Sequence, residues 1–360
     1  MRILCDCRYT RLDHHDGISR YGARVTEALS RRHAVTMLIS DERQLALLPD
    51  LPWIRVSAPT SPREPFIAAQ ITRAAPDADV LWSPMQTIGS LGRRYGLVLT
   101  LHDLIYYEHR TPPRNLPGPV RLLWRLYHLA YWPQRLLLNR ADEVATVSET
   151  TRRLMAEHRL TRRRVTIVTN AADVVAGAAP RTMPSGRDLV YMGEIRPYKG
   201  ADTLARAMRE LPGWRLHLLS RMPADERPRL EAMAPGGSLV IHDGTSDADY
   251  AELLDRAFAL VHASRAEGFG IPLVEAMSHG TPVVASDIPI FREVGAGAAS
   301  YFPVGDPHAL ARELRRLEDP QLWAERSAAS LARAAHYDWD DAAAALLEVL
   351  ERVHAARRRR

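Results

Sequence analysis

The stretch that decides the fold of this chain is Glu267-Gly268-Phe269-Gly270-Ile271-Pro272-Leu273-Val274-Glu275. It follows the mainly apolar run 257–264, which has the length of a buried parallel strand. Pro272 suits the first helical position, because its missing N–H has no helical partner to lose there. Gly280 suits the position just beyond the end of that helix. The sequence therefore predicts a strand, a glycine loop and the N-terminus of a helix.

This predicted unit suits a phosphorylated ligand. Free N–H groups and the positive end of the helix dipole point into the loop, where they favour an anion such as a diphosphate. Gly268 and Gly270 let the backbone approach a ligand with no Cβ in the way. Glu267 and Glu275, at the two ends, can accept hydrogen bonds from sugar or ribose hydroxyls. The alternative is an ordinary helix with acidic residues in its first turn. Such a helix would not need this specific order of glycine, proline, apolar and acidic residues.

This order of residues resembles the donor-site signature of the retaining glycosyltransferases of family GT4. The resemblance implies the GT-B fold, an α/β fold in which two Rossmann-like domains face each other across a cleft. It also implies that Glu267 contacts the transferred sugar and that Glu275 contacts the nucleotide ribose. The backbone N–H groups around Phe269, Gly270 and Ile271 would face the sugar and the phosphates.

A second motif, Gly193-Glu194-Ile195-Arg196-Pro197-Tyr198-Lys199-Gly200, lies between a predicted strand and a predicted helix. Arg196 and Lys199 place two cations at the C-terminal end of that strand, where open α/β sheets bind ligands. Fixed cations stabilise the negative charge that a diphosphate leaving group develops. An exposed charged loop is the alternative. The spacing resembles the GT4 pattern, which implies that Arg196 and Lys199 hold the donor diphosphate.

Three weaker signals complete the candidate site. His102 and Asp103 follow a predicted strand. The resemblance implies that His102 lines the reaction centre and that Asp103 orders the loop. The alternative is that the pair only caps the next element. Gly17 precedes the first predicted helix, which Ser19 could cap, and the family often has a glycine where Ser19 stands. Asp243-Gly244 falls where the family recognises the nucleotide base through backbone groups.

The bulk composition indicates a large globular chain. With 360 residues and 46% hydrophobic residues it can bury a sizeable core, and its length favours two or three domains. The formal net charge is +5, and the four arginines 357–360 make up most of it. A basic tail can bind nucleic acid or an anionic membrane. A disordered, solvated end is the favoured interpretation, and we expect no nucleic-acid partner.

The cysteines and the N-terminus bear on the cellular compartment. Cys5 and Cys7 are the only cysteines and are interpreted as buried thiols of the first strand in a reducing compartment. No signal peptide is visible, since Asp6 and Arg8 follow the first few residues directly. No uncharged apolar run is long enough to span a bilayer. We therefore expect a cytoplasmic protein, with peripheral contact at the inner face of the membrane left open.

Strand-like and helix-like segments alternate along the chain, which predicts an α/β fold with parallel sheets. The first half has predicted strands over 2–7, 35–40, 80–83, 97–101, 141–148 and 165–169. The second half has predicted strands over 188–193, 214–219, 238–242, 257–264 and 282–286. Helices are predicted over 19–31, 202–210 and 249–256.

These patterns predict an N-terminal Rossmann-like, acceptor-binding domain over 1–173 and a nucleotide-sugar-binding Rossmann-like domain over 188–335. The stretch 174–187, rich in Ala, Gly and Pro, is interpreted as a linker. The closing segment 336–360, with Trp339, resembles the family's last segment, which implies a helix that crosses back onto the N-terminal domain. Periodicity alone also allows that helix to pack on its own domain.

Two further patterns bear on metal and membrane binding. Asp-Ala-Asp occurs at 77–79 and at 247–249, but neither string has the setting of a metal motif, so no catalytic metal or other cofactor is expected. The segment 116–140 mixes leucines, aromatic residues and arginines, and Pro133 interrupts it. Such a segment can lie in a membrane interface or form an ordinary core helix with charged edges.

The function implied by the resemblance is that of a retaining glycosyltransferase. It would move a hexose from a nucleotide sugar to a glycan, a lipid-linked intermediate or a small molecule. Mannose from GDP-mannose is the favoured donor, and a UDP-sugar is its rival. A GT-B sugar-nucleotide epimerase and a non-catalytic protein that binds nucleotide sugars or membranes are the alternatives.

Overall fold

Short apolar runs form parallel strands in both halves of the chain, as the sequence predicts. The computed structural model describes residues 1–112, 118–173, 175 and 177–359. The start of the predicted segment 116–140, residues 174 and 176 of the predicted linker, and Arg360 lie outside the described residues. The chain divides into two units: Met1–Ala171 with the C-terminal segment from Asp338, and Ala172–Tyr337.

In the part of the chain that the structure describes, each unit contains one sheet and every strand pairing is parallel. The first sheet has the order β3-β2-β1-β4-β5-β6-β7 and the second has the order β10-β9-β8-β11-β12-β13. The strands are β1 (Ile3–Asp6), β2 (Val35–Ile39), β3 (Trp53–Arg55), β4 (Val80–Ser83), β5 (Gly96–Leu101), β6 (Glu143–Thr146), β7 (Val165–Ile167), β8 (Asp188–Tyr191), β9 (Arg215–Leu218), β10 (Leu239–Ile241), β11 (Ala259–His262), β12 (Val283–Ser286) and β13 (Ser300–Phe302).

Helices connect the strands in both units, as parallel pairing requires. In chain order they are α1 (Gly17–Ser30), α2 (Ile67–Ala74), α3 (Ile105–Glu108), α4 (Gly118–Tyr127), α5 (Trp132–Leu138), α6 (Glu149–Glu157), α7 (Ala201–Ala207), α8 (Glu226–Glu231), α9 (Asp247–Arg256), α10 (Ile271–Ser278), α11 (Pro289–Gly295), α12 (Pro307–Arg316), α13 (Pro320–Ala334) and α14 (Trp339–Arg358). This arrangement confirms the predicted α/β fold with two Rossmann-like domains. Within the described ranges, no helix has both the length and the apolar character needed to cross a bilayer.

The strand order places one potential ligand site in each sheet. The order reverses between β1 and β4 in the first unit and between β8 and β11 in the second. In open parallel sheets, ligands bind beyond the carboxyl ends of the strands at such a reversal. The second reversal is the relevant one here, because both sequence motifs follow its two strands, β8 and β11.

The C-terminal helix α14 belongs to the first unit, which confirms the predicted return of the chain to the N-terminal domain. It packs on α1 and against β4 and β5, and its apolar stripe, with Leu346, Val349 and Leu350, is fully buried. Gly96 makes room for the helix, since a Cβ at that position would lie 2.5 Å from Cγ1 of Val353. The alternative, in which this helix packs on the second domain, is therefore wrong.

The basic C-terminal segment is ordered up to its last described residues. Helix α14 continues to Arg358, and the Arg357 guanidinium donates to the backbone oxygen of Arg94 at 2.8 Å. The same guanidinium lies 3.7 Å from the carboxylate of Asp142. The expectation of a disordered tail is therefore wrong for these residues, because α14 extends to Arg358 and places Arg357 beside an acidic partner.

The stretch interpreted as a linker groups with the second unit from Ala172 onward. Its Arg181 guanidinium donates to the backbone oxygen of Leu254 at 2.9 Å and to Oγ1 of Thr281 at 2.7 Å. These bonds attach the stretch to the end of α9 and to the start of β12.

Candidate active site

The two motifs singled out in the second half meet at one edge of the second sheet. β8 ends at Tyr191 and leads into the motif 193–200, while β11 ends at His262 and leads into the loop before α10. β8 and β11 are adjacent and parallel, so both loops leave the sheet at its carboxyl edge. The edge between these strands is the point where the strand order reverses.

The contact that joins the motifs is an ion pair between Lys199 Nζ and Glu267 Oε1. Only 14% of the Lys199 side chain and 12% of the Glu267 side chain are exposed. The partners are 68 residues apart in the chain, so the pairing depends on the neighbouring positions of β8 and β11. Lys199 is also the only lysine of the chain.

A close backbone approach fixes the two loops against each other. The backbone N–H of Arg265 donates to the backbone oxygen of Tyr198 at 2.7 Å. Gly200, which follows the one-turn 3-10 helix Pro197–Lys199, has φ +71°. A Cβ on Gly200 would lie 2.1 Å from the backbone oxygen of Ala263. Glycine is therefore required here both for the left-handed conformation and for the contact.

Glu267 is a carboxylate in this site. Burial is the largest single effect and opposes its ionisation, but the Lys199 ammonium and the other groups around the carboxylate together outweigh it, so the pKa of Glu267 lies below its ordinary value. The backbone N–H of Gly268 also donates to Glu267 Oε2, at 3.3 Å. An ionised carboxylate only accepts hydrogen bonds, so Glu267 is suited to hydroxyl donors.

His262, which is not among the predicted site residues, is next to this ion pair. It is the last residue of β11 and is buried, and its Nε2 is 3.8 Å from Glu267 Oε1. Among the described residues, neither ring nitrogen has a hydrogen-bond partner. The rings of Tyr191 and Phe291 lie 5.3 and 5.1 Å from the His262 ring, centroid to centroid. A histidine that ends an otherwise apolar run just before the motif was the available signal.

The His262 imidazole is neutral, because burial lowers its pKa to about 4. The unfolded chain, with an ordinary histidine pKa of about 6.5, binds the proton more tightly. The free energy of unfolding is therefore unaffected by the titration of His262 above about pH 6.5. It decreases as the pH falls from there towards 4, because the unfolded chain takes up the proton first. The expected loss is roughly 3 kcal/mol, from about 1.4 kcal/mol per pKa unit.

We therefore expect a His262→Phe variant to lose less stability than the unmodified chain between pH 7.5 and pH 4.5. Urea unfolding at both pH values measures this difference. His102 in the first unit also has its pKa lowered to about 4 by burial, but it is present in both proteins and cancels. Equal losses of stability in the two proteins would contradict the assignment.

Helix α10 begins as the sequence predicts, with one correction. Its N-cap residue is Gly270, with φ +97° and no side-chain capping bond, so Pro272 occupies the second helical position rather than the first. Gly280 stands just beyond the helix with φ +65°, and its N–H donates to the backbone oxygen of Met277 at 3.0 Å, which confirms the predicted stop. Phe269 is buried, and its ring meets that of Tyr337 edge-on at 5.4 Å. The uncapped N-terminus of α10 can attract an anion.

The remaining predicted residues of the second unit have the following positions. Glu275 is half-buried within α10. Arg196 forms an ion pair with Glu194 in its own loop, and 20% of its side chain is exposed. Ile271 is the first residue of α10.

Asp243 and Gly244 follow β10, at the edge of the sheet and two strands away from β8. Both residues have positive φ, +56° and +113°. Asp243 Oδ1 accepts a hydrogen bond from the backbone N–H of Met222 at 2.7 Å, and the N–H of Gly244 donates to the backbone oxygen of Leu219 at 3.0 Å. Gly244 also lines a depression of about 220 Å³ together with residues of α9. These bonds fix the loop, and its role in base recognition stays a prediction.

Three predicted site residues belong to the first unit. Gly17 is the first residue of α1, but Asp16 and not Ser19 caps the helix, because Asp16 Oδ1 accepts from the Ser19 N–H at 2.9 Å.

His102 Nε2 lies 2.8 Å from the backbone oxygen of Pro84, a distance that fits an Nε2–H donor. Asp103 Oδ1 accepts from the backbone N–H of Ile105 at 3.0 Å. Asp103 thus orders its own loop, and the role implied for His102 stays a prediction.

The two Asp-Ala-Asp strings take part in local structure. Asp79 accepts a hydrogen bond from the backbone N–H of Arg2, and Asp247 and Asp249 lie in the first turn of α9. In the part of the chain that the structure describes, no group of three or more His, Cys, Asp or Glu residues could hold a metal ion.

Two family models match the chain one after the other. The model described as Glycosyltransferase Family 4 matches residues 15–175, and the model described as Glycosyl transferases group 1 matches residues 186–319. The second match contains both Lys199 and Glu267.

Two curated relatives and one solved structure illustrate what the chain is similar to. A phosphatidyl-myo-inositol mannosyltransferase of Mycolicibacterium smegmatis is 35% identical over 48% of this chain and 46% of that protein. The serotype-specific mannosyltransferase WbdA of Escherichia coli is 33% identical over 38% of this chain and 18% of that protein. Each match thus spans less than half the length of the relative. HepE of Anabaena in complex with UDP-glucose has a TM-score of 0.74, covers 98% of this chain and 99% of that chain, and is 20% identical, which shows likeness of fold.

Proposed function

Because the chain belongs to glycosyltransferase family 4, we propose that it transfers a hexose from a nucleotide sugar to a hydroxyl acceptor with retention at the anomeric carbon. The observation that carries this proposal is the Lys199–Glu267 ion pair. The pair lies at the carboxyl edge between β8 and β11, directly before the uncapped N-terminus of α10. A cation, a carboxylate and a helix N-terminus together suit a molecule that joins a diphosphate to a sugar.

The proposed roles follow from the charge of each group. Lys199 and Arg196 hold the diphosphate and stabilise the negative charge that it gains as the glycosidic bond breaks. The N-terminus of α10 adds N–H donors to the same anion. Glu267 accepts hydrogen bonds from hydroxyls of the transferred sugar, and Glu275 accepts them from the ribose.

Retention follows, in this proposal, from attack on the face that the leaving group vacates. The bond between the anomeric carbon and the diphosphate oxygen breaks, and the acceptor oxygen bonds to the same face of that carbon. The proton of the acceptor hydroxyl passes to the departing diphosphate. Glu267 is bound to Lys199, and its role is to position the sugar rather than to form a covalent intermediate.

The uncommon use of lysine supports a specific role for Lys199. The chain has 48 lysines and arginines in total, and 47 of them are arginines. An ammonium is a compact point charge, whereas a guanidinium is a broad planar fork. The site lies between Glu267 and the backbone contact at Gly200. The compact ammonium of Lys199 therefore suits it better than a guanidinium, because one small cation can contact both the carboxylate and a phosphate.

For the donor we propose GDP-mannose. Two relatives named as mannosyltransferases support mannose, whereas the fold neighbour bound to UDP-glucose keeps a UDP-sugar as the rival. For the acceptor we propose a glycan or a lipid-linked hydroxyl compound, the class to which the phosphatidyl-myo-inositol named in one relative belongs.

The single lysine allows a direct test of this proposal. An amine-specific reagent can modify only Lys199 and the N-terminal amine of the chain, and mass spectrometry of peptides separates the two sites. We expect GDP and GDP-mannose to slow modification of Lys199 at least tenfold and to raise the melting temperature. The N-terminal amine is the internal control and should react at an unchanged rate.

Each other outcome has a definite meaning. Selective protection by UDP and UDP-glucose would retain the transferase but replace the donor. Absence of protection and of any thermal shift with all four nucleotides would contradict the proposed function.

A further inference from the structure

The first unit exposes an unusual number of large apolar side chains on α4, α5 and the turn between them. Helix α4 buries none of its residues, so an ordinary core helix is the wrong interpretation of α4, whereas α5 buries Gln134 and Leu138. The exposed residues, here called the leucine face, are Leu122 (59%), Leu123 (65%), Leu126 (53%), Leu129 (57%), Trp132 (65%) and Leu136 (51%).

The opposite side of α4 is attached to the protein by aromatic contacts. The Trp124 ring lies 4.9 Å from that of Tyr106, centroid to centroid, and 4.0 Å from that of His128. The Tyr127 hydroxyl donates to Gln134 Oε1 on α5 at 2.7 Å. The aromatic side chains thus face inward and hold the two helices together, which leaves the leucines on the outer side.

The segment that carries the leucine face contains charge of one sign only, although Glu108 and Glu157 lie near Tyr131 in the turn between the two helices. Between Glu108 and Asp142 the sequence contains no acidic residue but six arginines. Arg121 and Arg125, one helical turn apart on α4, border the leucines. The chain as a whole mixes 43 acidic with 48 basic residues, so 33 consecutive residues without a carboxylate are a local feature.

We propose that the leucine face docks the protein onto a membrane that carries anionic lipids. Leucine and tryptophan side chains enter the boundary between head groups and acyl chains, and the arginines pair with lipid phosphates. A second copy of the chain fits this face less well, because two such faces would bring arginine against arginine. The contact is peripheral, and the inference goes beyond the proposed function without depending on it.

Vesicle flotation with the full chain tests this proposal. We expect binding to vesicles of phosphatidylcholine and phosphatidylglycerol, with at least tenfold weaker binding to phosphatidylcholine alone. Replacing Leu123 and Leu126 with glutamine should weaken binding at least tenfold. Both side chains are more than half exposed, so the melting temperature should stay the same. The matched control is Phe66→Ser with Leu91→Ser, which removes exposed apolar side chains elsewhere in the first unit and should change binding less than twofold.

Further variants distinguish this surface from the alternatives. Arg121→Gln with Arg125→Gln should weaken binding to anionic vesicles and remove most of its salt dependence. The proposal is overturned if the unmodified chain does not bind anionic vesicles or if the leucine variant binds as well as the unmodified chain. It is also overturned if only replacement of Arg357 to Arg359 abolishes binding. Light scattering that shows a dimer lost in the leucine variant, without vesicle binding, would assign the face to a second copy instead.

Discussion

A Glu267→Gln variant is expected to transfer sugar about 10²–10³-fold more slowly than the unmodified chain, the usual loss when one preorganised electrostatic contact is removed. Glutamine keeps the size of the side chain but replaces a charged acceptor with a neutral amide. Its NH₂ group, a donor, would then face sugar hydroxyls that the carboxylate binds as an acceptor. The initial rate of nucleotide release at saturating donor measures the effect.

The matched control for this prediction is Glu231→Gln. Glu231 is an exposed residue at the end of α8 in the same unit, and its replacement should leave the rate unchanged. Binding of the nucleotide alone, without the sugar, should persist in the Glu267 variant. A rate within threefold of the unmodified chain would contradict the role given to Glu267.

A Lys199→Met variant is expected to lose stability as well as activity. Methionine keeps an unbranched apolar stem but removes the cation, so the Glu267 carboxylate is left nearly buried without its partner. Breaking one side of a buried ion pair costs about 3–5 kcal/mol. We expect roughly 3 kcal/mol, the lower end of that range, because both side chains retain a small exposed fraction. Urea unfolding at pH 7 measures this loss.

The double variant Lys199→Met with Glu267→Gln separates the ion pair from other effects. With no charge left to bury, it should recover most of the stability lost by Lys199→Met and remain inactive. A double variant that loses the sum of the two single losses would show that the two side chains are not coupled. The interaction described between β8 and β11 would then be wrong.

The strands that the sequence predicts are those with continuous apolar runs. β11 and β12 are wholly buried, and hydrophobic character alone identifies them. β3 and β13 are not predicted, because polar side chains interrupt their short apolar runs. The equally short edge strands β7 and β10 consist mainly of apolar, β-branched residues and are predicted.

Long-range contacts mark the limit of what the sequence determines. Periodicity identifies α14 as an amphipathic helix, but its partner depends on features such as the space at Gly96. The family resemblance, rather than the pattern, predicted the correct unit. Similarly, the motif spacing selected Lys199 and Glu267, while their contact required the adjacency of β8 and β11.

His262 illustrates why one site residue was overlooked. It ends a run of apolar residues, where a histidine is easily taken for part of the core, and it is indeed buried. The loop after β11 turns the Glu267 carboxylate back to within 3.8 Å of the His262 ring, and the sequence does not show that turn. The position of α4 was hidden for a related reason: leucines at helical spacing predict a buried face, yet aromatic residues on the other side attach the helix.

The most direct test of the central claim is the configuration at the anomeric carbon of the product formed from a nucleotide sugar. GDP-mannose labelled with ¹³C at this carbon can be followed by NMR with the full chain, with phosphatidylinositol vesicles or mannose oligosaccharides as acceptors. We predict release of GDP and a product that has the α configuration of the donor. A product with inverted configuration, or no consumption of GDP-mannose or of UDP-glucose with any acceptor, would contradict the account.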